Sequence, residues 1–171
     1  AVLSRRSVLL LGTAATLVGV FRPGRALAAG GTLVMTINPE PNAMVSAFNT
    51  ASPVAVISGK MTEGLLAYDF DLKPQPELAT AWEVAPDGLS ITFKLRDGVK
   101  WHDGKPFTSA DVAYSIMEIL KQHHPRGRGV FAKVTAVETP DPLTAVFRLS
   151  QPAPALMYAL AGWESPMLPK H

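Results

Sequence analysis

WEVAPDGLSITFKLRDGVKWHDGKPFTSADVAYSI, residues 82–116, packs three turns, an alternating strand and a capped helix start into one stretch. Ala85, Pro86, Asp87 and Gly88 form a turn between apolar runs, because proline presets one dihedral and glycine tolerates positive φ. Ile91, Phe93 and Leu95 then alternate with Thr92, Lys94 and Arg96, the period of two that a half-buried strand requires. Asp97-Gly98 and Asp103-Gly104 supply two further turns. Thr108 or Ser109 can cap the helix that follows, and Asp111 stands three residues after Thr108, close to a capping box. The stretch predicts a hairpin followed directly by a helix.

Working outward, β-branched and apolar residues from Thr32 to Ile37 predict a strand. Pro39, Pro41 and Pro53 make residues 38–53 a long loop. Val54, Ile57, Met61 and Leu65 recur at spacings of three and four, which predicts a helix over 54–66. A short strand begins at Leu66, and Pro74-Gln75-Pro76 reads as a rigid connector. The helix after the opening stretch runs for about 13 residues and ends before Pro125. A second hairpin follows, with strands at 134–138 and 145–149 around a turn at Pro140-Asp141-Pro142. Residues 154–161 form a short helix with Pro154 near its start, where the missing N–H costs nothing.

Charge divides the chain at residue 28. Ser4-Arg5-Arg6-Ser7-Val8-Leu9-Leu10 fits the twin-arginine export pattern, and residues 8–20 are 13 mostly apolar residues, short for a bilayer span. Ala26-Leu27-Ala28 offers a small-residue cleavage site, so residues 1–28 read as a signal peptide and the mature chain starts at Ala29. Of 16 Lys+Arg, four (Arg5, Arg6, Arg22 and Arg25) lie in that segment, leaving 12 against 14 Asp+Glu, a net charge of −2. The basic balance of the whole therefore reports targeting, and nucleic acid is not an expected partner. With no cysteine, disulfides, thiolate metal sites, cysteine nucleophiles and a lipidated cysteine are excluded together.

Catalytic signatures are scarce. The sequence contains no nucleophile elbow, phosphate loop, zinc spacing or dinucleotide fingerprint, and no cofactor or metal site is expected. His102-Asp103 could be half of an acid–base pair, the basis of an alternative reading as a periplasmic hydrolase, yet Asp-Gly turn chemistry accounts for it. His123 and His124 project about 100° apart on a helix, so they read as a solvated helix end. Asp69 and Asp71 read as solvated turn acids, Arg126-Gly127-Arg128-Gly129 as a mobile surface loop, and Met35, Met61 and Met117 as core filling.

The opening stretch, extended back to Leu78 and Ala79, resembles the signature of extracytoplasmic solute-binding proteins of the peptide/nickel class, family 5, the receptors of ABC importers. Trp82, Asp87, Gly88, Phe93, Leu95, Arg96, Gly98, Val99, Asp103, Gly104, Pro106, Phe107, Asp111 and Val112 fall in register with it. Trp101 stands where phenylalanine is common, and Ser109 where alanine is. The resemblance implies an α/β, periplasmic binding protein-like fold of type II, with two lobes around a cleft. Members are more than three times as long, so residues 29–171 are expected to be an amino-terminal part of lobe I.

Two segments then carry the expected site. Irregular loops as long as 38–53 are uncommon and often functional, and by family position Phe48, Asn49, Thr50, Ala51 and Ser52 would reach the cleft. The turn holding Trp163, Glu164 and Ser165 would meet the same cleft, with Trp163 stacking on a ligand and Glu164 pairing with an amine. The implied function is capture of a small solute, most readily a peptide, as a periplasmic monomer that delivers it to an ABC permease. The twin-arginine translocase would be its partner during export, and a sensory receptor without transport is a further alternative on the same fold.

Overall fold

The computed structural model describes residues 34–171, of which Ile37–His171 form the body that carries the site. The signal peptide and its cleavage site lie outside the described residues, as do Thr32 and Leu33. The described remainder of the strand expected at 32–37 is not a strand: no ladder pairs with residues 34–37, and Val34 and Met35 are exposed. Strand propensity becomes a strand only through pairing with another strand, and the described residues 34–37 pair with none.

Four strands form one antiparallel sheet in the order β3-β4-β6-β5: β3 is Ala79–Val84, β4 Ser90–Leu95, β5 Val134–Asp141 and β6 Thr144–Leu149. Both hairpins expected from the turn residues are present, and Gly88, at φ 68°, closes the first. The second turns later than expected, because β5 runs on through Pro140 to Asp141 and leaves Pro142 and Leu143 as the loop. Alternation in β4 becomes burial: Ile91, Phe93 and Leu95 are buried, each contributing about 2 kcal/mol through removal from water. Across the β4–β6 ladder Ile91 pairs with Phe147 and Phe93 with Ala145. The Phe93 and Phe147 rings meet edge to face at 5.1 Å.

A helix over 109–123, called α2, joins that core through Val112, Ile116 and Leu120. It starts where the sequence places it: Asp111 accepts the Thr108 N–H at 2.8 Å and the Thr108 hydroxyl at 3.2 Å. Its middle segment, Ser115–Leu120, widens to π-helical winding. There Ser115 donates to the Asp111 carbonyl at 2.7 Å and accepts the Leu168 N–H at 2.8 Å, so the local ladder is shared with another segment.

The first helix, α1, is Ser52–Met61, earlier and shorter than the spacing predicted. Pro53 sits in its first turn, where proline is accommodated, so the proline expected at the end of the loop opens the helix instead. Its early stop leaves Met61 exposed, and with Met35 also exposed, Met167 is the methionine buried in the core. Met117 does pack against that core. Pro74–Pro76, expected as a connector, forms β2 and pairs antiparallel with β1, Leu66–Tyr68. Only Gln75 of the three has an N–H, which a peripheral two-stranded arm tolerates.

What stops α1 is the need to pass another backbone. Gly64 meets the segment 160–162, and Leu66 bridges Ala161 in parallel beside the crossing. A Cβ on Gly64 would lie 2.6 Å from both the Ala161 carbonyl carbon and the Leu160 carbonyl oxygen. Gly64→Ala is therefore expected to destabilise the chain by about 2–3 kcal/mol, read as a lower urea midpoint. An unchanged midpoint would show that the two backbones can separate at little cost.

Candidate functional site

Residues 123–126, where α2 ends, tie the two expected site segments to one edge of the body. On one side the Phe48 ring stands 6.3 Å from the His123 ring, centroid to centroid. On the other, Arg126 pairs with Glu164 through both guanidinium and carboxylate forks, its Nε lying 2.9 Å from Oε1. The Arg126 guanidinium carbon also sits 5.7 Å from the centre of the Trp163 ring.

The loop before α1 is irregular and internally fastened. Asn49 accepts the Ala51 N–H at 2.8 Å and donates to Asn42 at 2.7 Å, an Asx turn that aims the chain into α1. Ser46 and Ser58, both fully buried, bind the loop to the helix: the Ser46 N–H donates to Ser58 Oγ at 3.0 Å. Phe48 remains 53% exposed, and Thr50 is half-buried. Ala51 precedes α1, and Ser52, expected within the loop, is instead the first residue of that helix.

The second segment divides by exposure. Trp163 is 54% exposed whereas Glu164 and Ser165 are buried. Ser165 donates its hydroxyl to the Ala159 carbonyl and its N–H to the Ala161 carbonyl, so it fixes the turn. Glu164 already has a cation against it, the Arg126 guanidinium.

Neighbouring histidines part company here. His123 is exposed beside Phe48, whereas His124, expected at a solvated helix end, is buried. Its Nδ1 accepts the Arg126 N–H at 3.3 Å, which leaves the proton of a neutral ring on Nε2, an atom with no hydrogen-bond partner among the described residues. Burial holds the imidazole below its ordinary value of 6.5; the Glu164 charge opposes the shift and the Arg126 charge adds to it.

The segment expected as a loop at 126–129 holds a short helix, α3, at Gly127–Val130. Gly127 is buried, and a Cβ there would run into the Leu120 carbonyl. Asp69, expected as a solvated acid, accepts the Asp71 and Lys73 N–H groups at 3.0 and 2.9 Å and the Gln75 amide at 3.0 Å. Asp103 is engaged by His171 at 2.8 Å and by the Lys105 N–H at 3.1 Å, while His102 is exposed nearby. Arg126 is the site residue that sequence reasoning passed over. Its partner lies 38 residues away, a separation with no local signal.

The four-stranded antiparallel sheet with its buried helix matches part of the architecture of solved periplasmic binding proteins. The chain belongs to the bacterial extracellular solute-binding proteins, family 5, whose middle-region model matches residues 73–170. A Brucella ovis protein named as an ABC transporter peptide-binding protein is 33% identical over 166 residues, covering 93% of this chain and 30% of its own length. NikZ from Campylobacter jejuni, solved in complex with Ni(L-His), is 33% identical with a TM-score of 0.67, over 77% of this chain and 26% of that one. AgaA from A. tumefaciens R10, solved in complex with agropinic acid, is 34% identical with a TM-score of 0.66, over 76% of this chain and 26% of that one. The chain thus spans under a third of the length of these relatives.

Two outcomes follow from the Arg126 cluster. Arg126→Met strands a buried carboxylate and is expected to cost about 1–3 kcal/mol in urea unfolding, with Arg126→Met/Glu164→Leu recovering most of the loss. A double variant as weak as the single would show that no buried charge was left unpaired. For His124 the folded value lies below the unfolded one, so across that window the unfolded chain holds more protons. Its contribution to stability is then present above about pH 6.5 and lost as pH falls through the folded value. His124→Phe should flatten that part of the pH profile, and an identical slope in both proteins would reject the assignment.

Proposed function

We propose that this chain is the amino-terminal part of the substrate-binding receptor of an ABC importer, acting outside the cytoplasm by binding and not by catalysis. It captures a small solute, a peptide foremost, and hands it to a membrane permease whose separate ATPase subunits supply the energy. The observation that carries this reading is the convergence of two distant segments on residues 123–126, with exposed Phe48 beside His123 and exposed Trp163 beside the Arg126–Glu164 pair. Large exposed rings flanking fixed charges are what a binding surface offers, because rings supply contact area at small entropic cost.

In this reading Phe48 and Trp163 touch the solute, Asn49 and Thr50 offer polar groups to it, and Glu164 and Ser165 hold the Trp163 turn in place. Ala51 and Ser52 set the start of α1 and thereby the reach of the loop. Two lobes closing over the solute would bury both rings. The name of the Brucella ovis relative supports a peptide ligand, and Arg5-Arg6 with Ala26-Leu27-Ala28 supports export by the twin-arginine translocase into the periplasm.

The test is calorimetry on the full-length mature protein with di- and oligopeptides, Ni(L-His) and agropinic acid. A peptide should bind and raise the melting temperature, and Trp163→Ala should weaken it roughly tenfold, the cost of losing one aromatic anchor. Binding of nothing across that panel, or an unaltered affinity in Trp163→Ala, would overturn the reading or its site respectively.

A further inference from the structure

Beside the Gly64–Gly162 crossing a cavity of about 510 Å³ opens under the β1–β2 arm. Its walls are aromatic. Tyr68 and Tyr158 stack at 5.6 Å with 25° between planes, and Trp163 also lines the open cavity. Tyr68 is anchored by donating its hydroxyl to the Met157 carbonyl at 2.5 Å, while Tyr158 and Trp163 keep 60% and 54% of their surface exposed. Leu72 stands at the rim in left-handed backbone, φ 59°, an unfavourable state for a bulky residue. Asp69 imposes it by accepting the N–H groups on either side of that residue, at Asp71 and Lys73.

One carboxylate lines this cavity. Glu77 accepts the Gly64 N–H at 3.2 Å, and no ion pair among the described residues includes it. Burial raises its carboxyl above its ordinary value; the Gly64 N–H works against that rise and the Glu63 charge adds to it. Its charged form is thus under-compensated where it stands, which an incoming cation would correct. Glu164 differs in this respect, since Arg126 already neutralises it. Trp163 belongs to both places: Arg126 lies over its ring, and the ring lines the cavity.

We infer that this cavity is a cation subsite, taking an ammonium or guanidinium group of the solute against Glu77, with the Tyr158 and Trp163 rings beside it and the Thr62 hydroxyl at its polar end. Ring quadrupoles attract a cation that has left water, and a carboxylate supplies the charge-assisted hydrogen bond. The inference rests on the receptor reading above and adds the charge of the group to be bound. It assigns cation recognition to Glu77, where the sequence had offered Glu164.

The test compares two dipeptides of one shape, Arg-Ala and citrulline-Ala, by calorimetry on the full-length mature protein. The guanidinium ligand is expected to bind roughly tenfold more tightly than its neutral isostere. Glu77→Gln keeps an acceptor for the Gly64 N–H and should bring that ratio to about one. Tyr158→Ala removes an exposed wall and should lower the ratio too, which guards against a folding defect in the first variant. An unaltered ratio in folded Glu77→Gln, or no ratio in the wild type, would overturn the subsite. Binding of agropinic acid or Ni(L-His) with neither dipeptide bound would overturn the subsite and leave the receptor reading standing. Silence toward every ligand would remove both.

Discussion

A single buried carboxylate ties the recognisable part of this sequence to its far end. Asp111 accepts the Thr108 N–H and hydroxyl on one oxygen, and the Lys170 N–H at 2.9 Å on the other; the Trp101 indole N–H lies 3.4 Å from the first. A carboxylate 4% exposed to solvent is tolerable only with its lone pairs occupied, so these donors have to be in place together. Next along the helix, Ser115 repeats the device by accepting the Leu168 N–H while its own hydroxyl proton goes to the Asp111 carbonyl. Residues 167–170 are thereby pinned along α2, and Trp163–Pro166 must arrive from a fixed direction. The turn Asp-Gly, Pro106-Phe107 and Thr108-x-x-Asp111 spacings of the signature stretch are thus requirements of the scaffold.

The site follows from where that scaffold leaves no room. Gly64 and Gly162 let two backbones pass in contact, which sets β1 against the segment leading to Trp163. Gly127 performs the same service between α3 and the end of α2, and so fixes where Arg126 emerges. Arg126 then meets Glu164 in forked geometry that is hard to satisfy in any other register. Desolvating Glu164 costs energy that the pair repays only with good geometry, so its contribution lies in holding Trp163 in one place more than in net stability. Close backbone approach, then paired charge, then an exposed ring is the order of dependence.

Much of this was legible in the sequence because it is local. Alternation in β4, the Asp-Gly turns and the Thr108–Asp111 cap depend on neighbours a few residues away, and each stands where its pattern puts it. Failures occurred where a distant segment decided the outcome. Pro74–Pro76 is the exception, a strand made by a short hairpin back onto Leu66–Tyr68, whereas α1 stopped at Met61 because Gly64 must meet residues 160–162. The burial of His124 and the ion pair of the exposed Arg126 carry no local signal, because nothing near them announces Glu164, 38 residues beyond Arg126. The Phe48 loop and the Trp163 turn were placed by resemblance to a family, and the local pattern alone would not have joined them.

Relatives of nearly equal identity, NikZ and AgaA, were solved with a nickel–histidine complex and with agropinic acid. Ligand charge and shape therefore vary between proteins that share this fold, as expected when chemistry is carried by side chains at the scaffold's edge. In this chain the edge holds two carboxylates in opposite states. Glu164 is buried and neutralised by Arg126, whereas Glu77 lines an aromatic cavity with the Gly64 N–H as its carboxylate's hydrogen-bond partner among the described residues. Long-range attraction cannot distinguish them, since fields from a body of net charge −2 decay within a Debye length at physiological salt. Short-range compensation can, and it separates a carboxylate neutralised by an arginine from one that no ion pair among the described residues includes.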